Sequence, residues 1–136
     1  MMIYLAGPID NANMACFEQR RQIKDTLKTL DHVVFDPASA WTVPINAELD
    51  GRLQDLNEKV VLACDMVVAF LVPNVLSIGT VMEIVYAHDI GTPVVVHMPD
   101  INPSWALASL ESVVITHTDT ELIEAVQDVI PRKKLW

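Results

Sequence analysis

Short apolar runs alternate along the chain with longer segments of helical periodicity. Met2-Ile3-Tyr4-Leu5-Ala6 has the length of a buried strand and is stopped by Gly7-Pro8. Asn13 is placed to cap a helix running to about Leu30, with Phe17, Ile23, Leu27 and Leu30 roughly on one face. His32-Val33-Val34-Phe35 predicts a second strand ended by Asp36-Pro37, and residues 38–46, with Trp41 and Pro44, predict a loop. The spacing of Leu49, Leu53, Leu56, Val60 and Ala63 predicts a helix over 47–64. A third strand follows over 66–71, a helix over 80–90 and a fourth strand over 93–97. Residues 99–103 predict a loop, with Ser104 capping a short helical turn. The last elements are a strand over 112–116, a helix over 119–130 and a polar tail over 131–136. The 80–90 helix is apolar almost all round, so it is expected to be buried. Glu83 is the only ionisable side chain in its first two turns.

Five short apolar strands alternating with helices predict an α/β fold, a parallel sheet covered on both faces in a three-layer, Rossmann-like sandwich. Right-handed crossovers make a flavodoxin-like strand order, 2-1-3-4-5, the leading topology. Strands 1 and 3 are then neighbours at the switch point, and the loops over 7–13 and 72–79 flank one crevice.

Bulk properties narrow the possible partners. The 136 residues fit one domain spanning 1–136, and 51% of them are apolar, which argues against disorder. A formal charge of −9, with no basic cluster larger than Arg132-Lys133-Lys134, disfavours long nucleic acids. Two cysteines, Cys16 and Cys64, are too few for a disulfide framework and fit a reducing compartment. No segment approaches the ~20 apolar residues of a membrane span, and the apolar start is too short for a signal sequence. A soluble cytoplasmic protein is expected.

The crevice collects Tyr4, Gly7, Asp65, Asn74, Ser77, Gly79, Thr80 and Glu83. Dinucleotide and triphosphate fingerprints are absent, and the four histidines have no metal spacing, so neither cofactor nor metal is expected. Ser77, Gly79 and Thr80 open a helix whose first N–H groups lack intrahelical partners, a place where one phosphate fits. Glycine at 79 permits close approach to the backbone. Glu83, one turn on, stands about a sugar's width from that phosphate. A carboxylate held there is able to attack an acetal carbon and form an ester, with Asp65 as a second acid for the leaving base. Thr80-Val81-Met82-Glu83 is equally a sound capping box, in which Glu83 merely serves the Thr80 amide. The residues leave both readings open.

Three blocks in this order carry a resemblance. Ile3-Tyr4-Leu5-Ala6-Gly7-Pro8-Ile9, Cys64-Asp65-Met66-Val67-Val68-Ala69, and the Ser77-to-Ala87 segment followed by Gly91-Thr92-Pro93-Val94-Val95-Val96 resemble the nucleoside 2-deoxyribosyltransferase family. Within it they come nearest to the branch of nucleoside 5′-monophosphate N-glycosidases. The resemblance implies that Glu83 is the nucleophile, that Tyr4 orients it, and that Asp65 contacts or protonates the base. It also implies that Ser77 grips a 5′-phosphate, where free-nucleoside transferases tend to carry an aspartate. Ser104 corresponds to a serine that reaches a neighbouring subunit's site, which implies a homodimer or higher homo-oligomer. Phosphate binding would rest on dipoles and hydroxyls, with Arg20 or Arg21 nearby. The expected reaction is hydrolysis of a nucleoside 5′-monophosphate to free base and sugar phosphate. The alternatives are a 2-deoxyribosyltransferase and a non-catalytic nucleotide-binding module.

Overall fold

The structure, a computed structural model, describes residues 1–9, 12–40 and 47–129, with residues 47–51 as helix backbone only. The expectations for Trp41, Pro44 and the tail at 131–136 lie outside these residues, as does that for the side chain of Leu49. Five parallel strands, β1 (Met2–Ala6), β2 (Val33–Phe35), β3 (Met66–Phe70), β4 (Val94–His97) and β5 (Val113–Thr116), form one sheet in the order β2-β1-β3-β4-β5. This is the topology that the alternation of elements predicts. The helices are α1 (Met14–Thr29), α2 (Pro37–Ala40), α3 (Ala47–Ala63), α4 (Ile78–Asp89), α5 (Trp105–Ala108) and α6 (Asp119–Asp128).

The strands have two core faces because neighbouring side chains point to opposite sides of a sheet. Ile3, Leu5, Val68, Phe70 and Val95 meet Ile23 and Leu27 of α1 and Leu122 and Val126 of α6. Tyr4, Ala6, Val67, Ala69, Val94 and Val96 meet Val61 of α3 and Ile84 and Ala87 of α4.

Two helices turn inward a stripe that only partly matches the expected one, keeping Ile23 and Leu27 on α1 and the half-buried Val60 on α3. On α1 the buried positions are Cys16, Arg20, Ile23 and Leu27, while Phe17 is exposed. On α3 they include Asn57 and Val61, followed by Cys64 just past its end, whereas Leu56 is exposed and Ala63 faces outward. In both cases a polar residue lies inside the true stripe. The expected loop over 38–46 also begins as the short helix α2. Asp36 accepts the Ala38 amide at 3.0 Å and Pro37 stands at the first helical position, where its missing N–H is no loss.

Helix α4 corrects a further expectation. One stripe (Thr80, Glu83, Ile84, Ala87) is buried, but Ile78, Val81, Met82 and Val85 are exposed in the single chain. Their i, i+3, i+4, i+7 spacing makes a second apolar stripe on the outward face.

Candidate active site

In a parallel α/β sheet the ligand crevice lies outside the carboxyl ends of the strands, and α4 begins there after β3. Ser77 is its N-cap and Ile78 its first residue. Glu83 therefore stands in the second turn, too deep to serve as the third residue of a capping box on Thr80. Its side chain is buried and points at the sheet, where Tyr4 Oη donates to Glu83 Oε1 at 2.7 Å. Tyr4 is wholly buried, and its ring stacks on Phe35 of β2 with centroids 5.8 Å apart. The pair joins β1 to α4 across 79 residues of sequence.

Burial pushes the Glu83 carboxyl up from its ordinary 4.5 to about 7, because desolvation penalises the charged form. The Tyr4 hydrogen bond and the Arg20 charge oppose that rise without cancelling it. The Tyr4 hydroxyl is driven upward, by burial first and then by the Glu83 charge, so it stays a donor. A carboxylate that titrates near neutrality with one oxygen fixed is suited to nucleophilic work by the other.

The hydroxyls expected around the phosphate do gather at the start of α4. Ser77 Oγ and Thr80 Oγ1 hydrogen-bond to each other, Ser77 half-buried and Thr80 buried. Gly79 is exposed, and a Cβ built on it meets nothing within 4 Å, so this turn is open above the backbone. Gly7 is buried, and its need for glycine is a packing need. A Cβ there would lie 1.9 Å from Cε1 of Phe70.

Asp65 is not brought to this site. It precedes β3 and so lies at the opposite, N-terminal edge of the sheet, where Met2 N–H donates to Asp65 Oδ2 at 2.7 Å and Asp65 N–H to Met2 O at 2.8 Å. These bonds extend the β1–β3 ladder by one rung. Ser104 is exposed, and its hydroxyl caps α5 by accepting the Leu107 amide at 3.2 Å. Asn74, also exposed, adopts a left-handed φ of 62° in the turn after β3. Neither nearby arginine is an open phosphate cation. Arg21 is exposed among Glu18 and Asp25, and the buried Arg20 pairs with Asp36.

Asn57 is the residue that reading the sequence missed here, and for Arg20, expected near the phosphate, it missed the burial. Asn57 lies one turn before Val61 on the inward face of α3, the helix packed on α4. The signal was present in the heptad-like spacing 16-20-23-27, which carries Arg20 inward with Cys16, Ile23 and Leu27. Among the described residues no group of three or more His, Cys, Asp or Glu has the placement to hold a metal ion. Nor is any described helix long and apolar enough to cross a membrane.

The chain is thus a doubly wound parallel α/β protein with a buried carboxylate at the switch point, where sheets of this class bind ligands. The sequence profile described as nucleoside 2-deoxyribosyltransferase matches residues 3–126, and the chain belongs to that family of enzymes. Solved structures of similar fold include a 2-deoxyribosyltransferase from the psychrotolerant bacterium Bacillus psychrosaccharolyticus. Its TM-score is 0.79 at 18% identity, covering 98% of this chain and 100% of that one. A conserved protein of Enterococcus faecalis has a TM-score of 0.73 at 20% identity, with 93% and 96% covered. The CMP N-glycosidase of Clostridium botulinum has a TM-score of 0.61 at 16% identity, with 93% and 97% covered. No curated protein matches the chain.

Proposed function

We propose that this enzyme hydrolyses the N-glycosidic bond of a nucleoside 5′-monophosphate, releasing the base and a (deoxy)ribose 5-phosphate. The observation that carries the reading is the buried 2.7 Å hydrogen bond from Tyr4 to Glu83. It turns the carboxylate away from its own main chain and leaves Oε2 to act. In the first step Oε2 attacks the anomeric carbon, the carbon–nitrogen bond breaks with its electron pair, and the base takes a proton from solvent. Water then adds to the anomeric carbon of the ester, giving the sugar phosphate and restoring the carboxylate. Asp65, at the other edge of the sheet, takes no part. The Ser77 and Thr80 hydroxyls and the first amides of α4 are the groups proposed to hold the phosphate.

Incubation with dCMP, CMP, dUMP, dGMP and dAMP, followed by chromatography of released base, tests the assignment. Folded protein that frees no base from any of them would refute it. The family supports a second reading, transfer of deoxyribose between bases. Supplying a free deoxynucleoside with a second base separates the two, since exchange without net hydrolysis identifies a transferase.

A homodimer is part of the proposal, supported by the exposed Ile78-Val81-Met82-Val85 stripe of α4 and by exposed Leu56 and Leu62 on α3. Sedimentation at micromolar concentration checks it, and a monomer throughout would remove it. Cys16 and Cys64 are buried and form no disulfide, which supports the reducing, cytoplasmic setting expected from the sequence.

A further inference from the structure

The backbone that leaves β1 is held by one side chain. Arg20 lies on the inward stripe of α1 and is buried. Its Nη2 donates to the Gly7 carbonyl at 2.9 Å and to the Pro8 carbonyl at 3.3 Å. Pro8 has no N–H, so carbonyls are the polar handles by which this turn can be gripped. Nη1 donates instead to Asp36 Oδ1 at 2.6 Å, just past β2. Asp36 is itself fixed. Its Oδ2 accepts from Lys24 Nζ at 2.6 Å and Ser39 Oγ at 3.0 Å, and its Oδ1 from the Ala38 amide at 3.0 Å. The guanidinium carbon lies 5.2 Å from the centroid of the Phe70 ring, and that ring also closes the space beside Gly7. The Gly7-Pro8 turn is therefore held through its carbonyls and backed by the last residue of β3. A guanidinium does this with two separate nitrogens, whereas a lysine ammonium is a single point charge.

Gly7 and Pro8 open the loop that flanks the crevice on the β1 side, with the start of α4 on the β3 side. We propose that Arg20 is a positioning residue for substrate binding: it holds the Gly7-Pro8 turn as a preformed wall of the crevice, so that this wall is not left to be ordered when a nucleotide enters. The inference deepens the proposed N-glycosidase reading and rests on it. It concerns binding, since Arg20 reaches the turn and Asp36 and is given no part in the chemical step. A wall ordered in advance saves the entropy of fixing it in the complex.

Two readouts on R20M and R20K test it. The first needs no ligand. Backbone ¹⁵N order parameters of Gly7, Ile9 and Ala12 should fall in both variants, from the rigid range near ~0.85 toward ~0.6, while those of β3 stay unchanged. The second is the split between KM and kcat for whichever of dCMP, CMP, dUMP, dGMP and dAMP the wild type hydrolyses. R20M should raise KM about tenfold with kcat within about twofold, a change of about 1.4 kcal/mol, close to the cost of ordering one residue. R20K, which keeps the charge opposite Asp36 and loses the fork, should also raise KM, by about threefold or more. Should R20M fail to fold, R20K decides alone. A merely structural salt bridge would lower the folded fraction, and so the apparent kcat, at an unchanged KM. That result, or unaltered order parameters at the turn in folded R20K, would overturn the proposal. A wild type that frees no base from any monophosphate would sink the N-glycosidase reading, and the order parameters would still decide whether Arg20 holds the turn.

Discussion

The chain contains Thr-x-x-Glu twice at the start of a helix, and the two copies do opposite things. At α6 the motif is a complete capping box. Thr118 Oγ1 accepts the Glu121 amide at 3.2 Å, and the Glu121 carboxylate accepts the Thr118 amide at 3.3 Å and the His117 amide at 2.6 Å. At α4 the same spacing, Thr80 to Glu83, lies wholly inside the helix, because Ser77 has already served as N-cap. The exposed Glu121 is held below the ordinary carboxylate range, chiefly by the His117 amide, while burial lifts Glu83 to about 7. The spacing of residues fixes what is possible. The position of the first helical residue, three places earlier at α4, decides whether the glutamate meets its own backbone or the sheet.

The sharpest way to break this contrast is to neutralise each carboxylate in turn. E83Q should lower base release by about 10³-fold or more, since it removes the proposed nucleophile while keeping shape. E121Q should leave turnover unchanged and lower the melting temperature only slightly. Comparable losses of activity in both would show that the two motifs are not functionally distinct.

The next effect concerns stability and pH. A buried carboxyl that titrates at about 7, against 4.5 when unfolded, contributes stability that is fully present below pH 4.5 and is lost as pH rises through 7. That gap corresponds to about 3 kcal/mol. E83Q should therefore be more stable than wild type at pH 8 by up to that amount, and indistinguishable at pH 4.5. Urea unfolding at the two pH values measures it, and an equal difference at both would contradict the assigned environment. With Glu83 as the proposed nucleophile, base release should fall away below pH 7 as its carboxylate takes up a proton.

A smaller effect is expected at Tyr4. Y4F keeps the ring on Phe35 and deletes one hydrogen bond to a charged group, a change of about 1.5–3 kcal/mol, or roughly 10- to 100-fold in rate. The acid limb of its pH profile should move upward, because the phenol now favours the ionised carboxylate. The smallest is T118A, which should cost about 1 kcal/mol of stability through the lost cap and nothing in catalysis. Wild-type stability in that variant would remove the capping box as a stabilising feature.

The strands were legible because runs such as Met66-Val67-Val68-Ala69-Phe70 are apolar on both sides and bounded by turn residues. The pairing order followed from chain alternation and handedness alone. The helix faces were less legible. Reading cores from leucine and phenylalanine placed Phe17 and Leu56 inside, whereas the structure buries Arg20 and Asn57, whose polar groups are tolerable there only with partners. Asp65 was assigned to the crevice because it adjoins β3. A residue preceding a parallel strand, however, stands a whole strand length from the helix that follows it. Glu83 was legible as a position and not as an orientation, since the first residue of α4 is set by tertiary packing as well as by the cap.

Gly7 carries one more consequence. Phe70 is fully enclosed and roofed by the Arg20 guanidinium, so its ring has nowhere to retreat from a methyl group at position 7. The three positions therefore behave as a single unit of inheritance: a larger residue at 7 demands a smaller one at 70, which in turn deprives the arginine of its platform. Anyone reshaping the floor of this crevice must exchange all three together, and an isolated change at any of them starts from a broken floor.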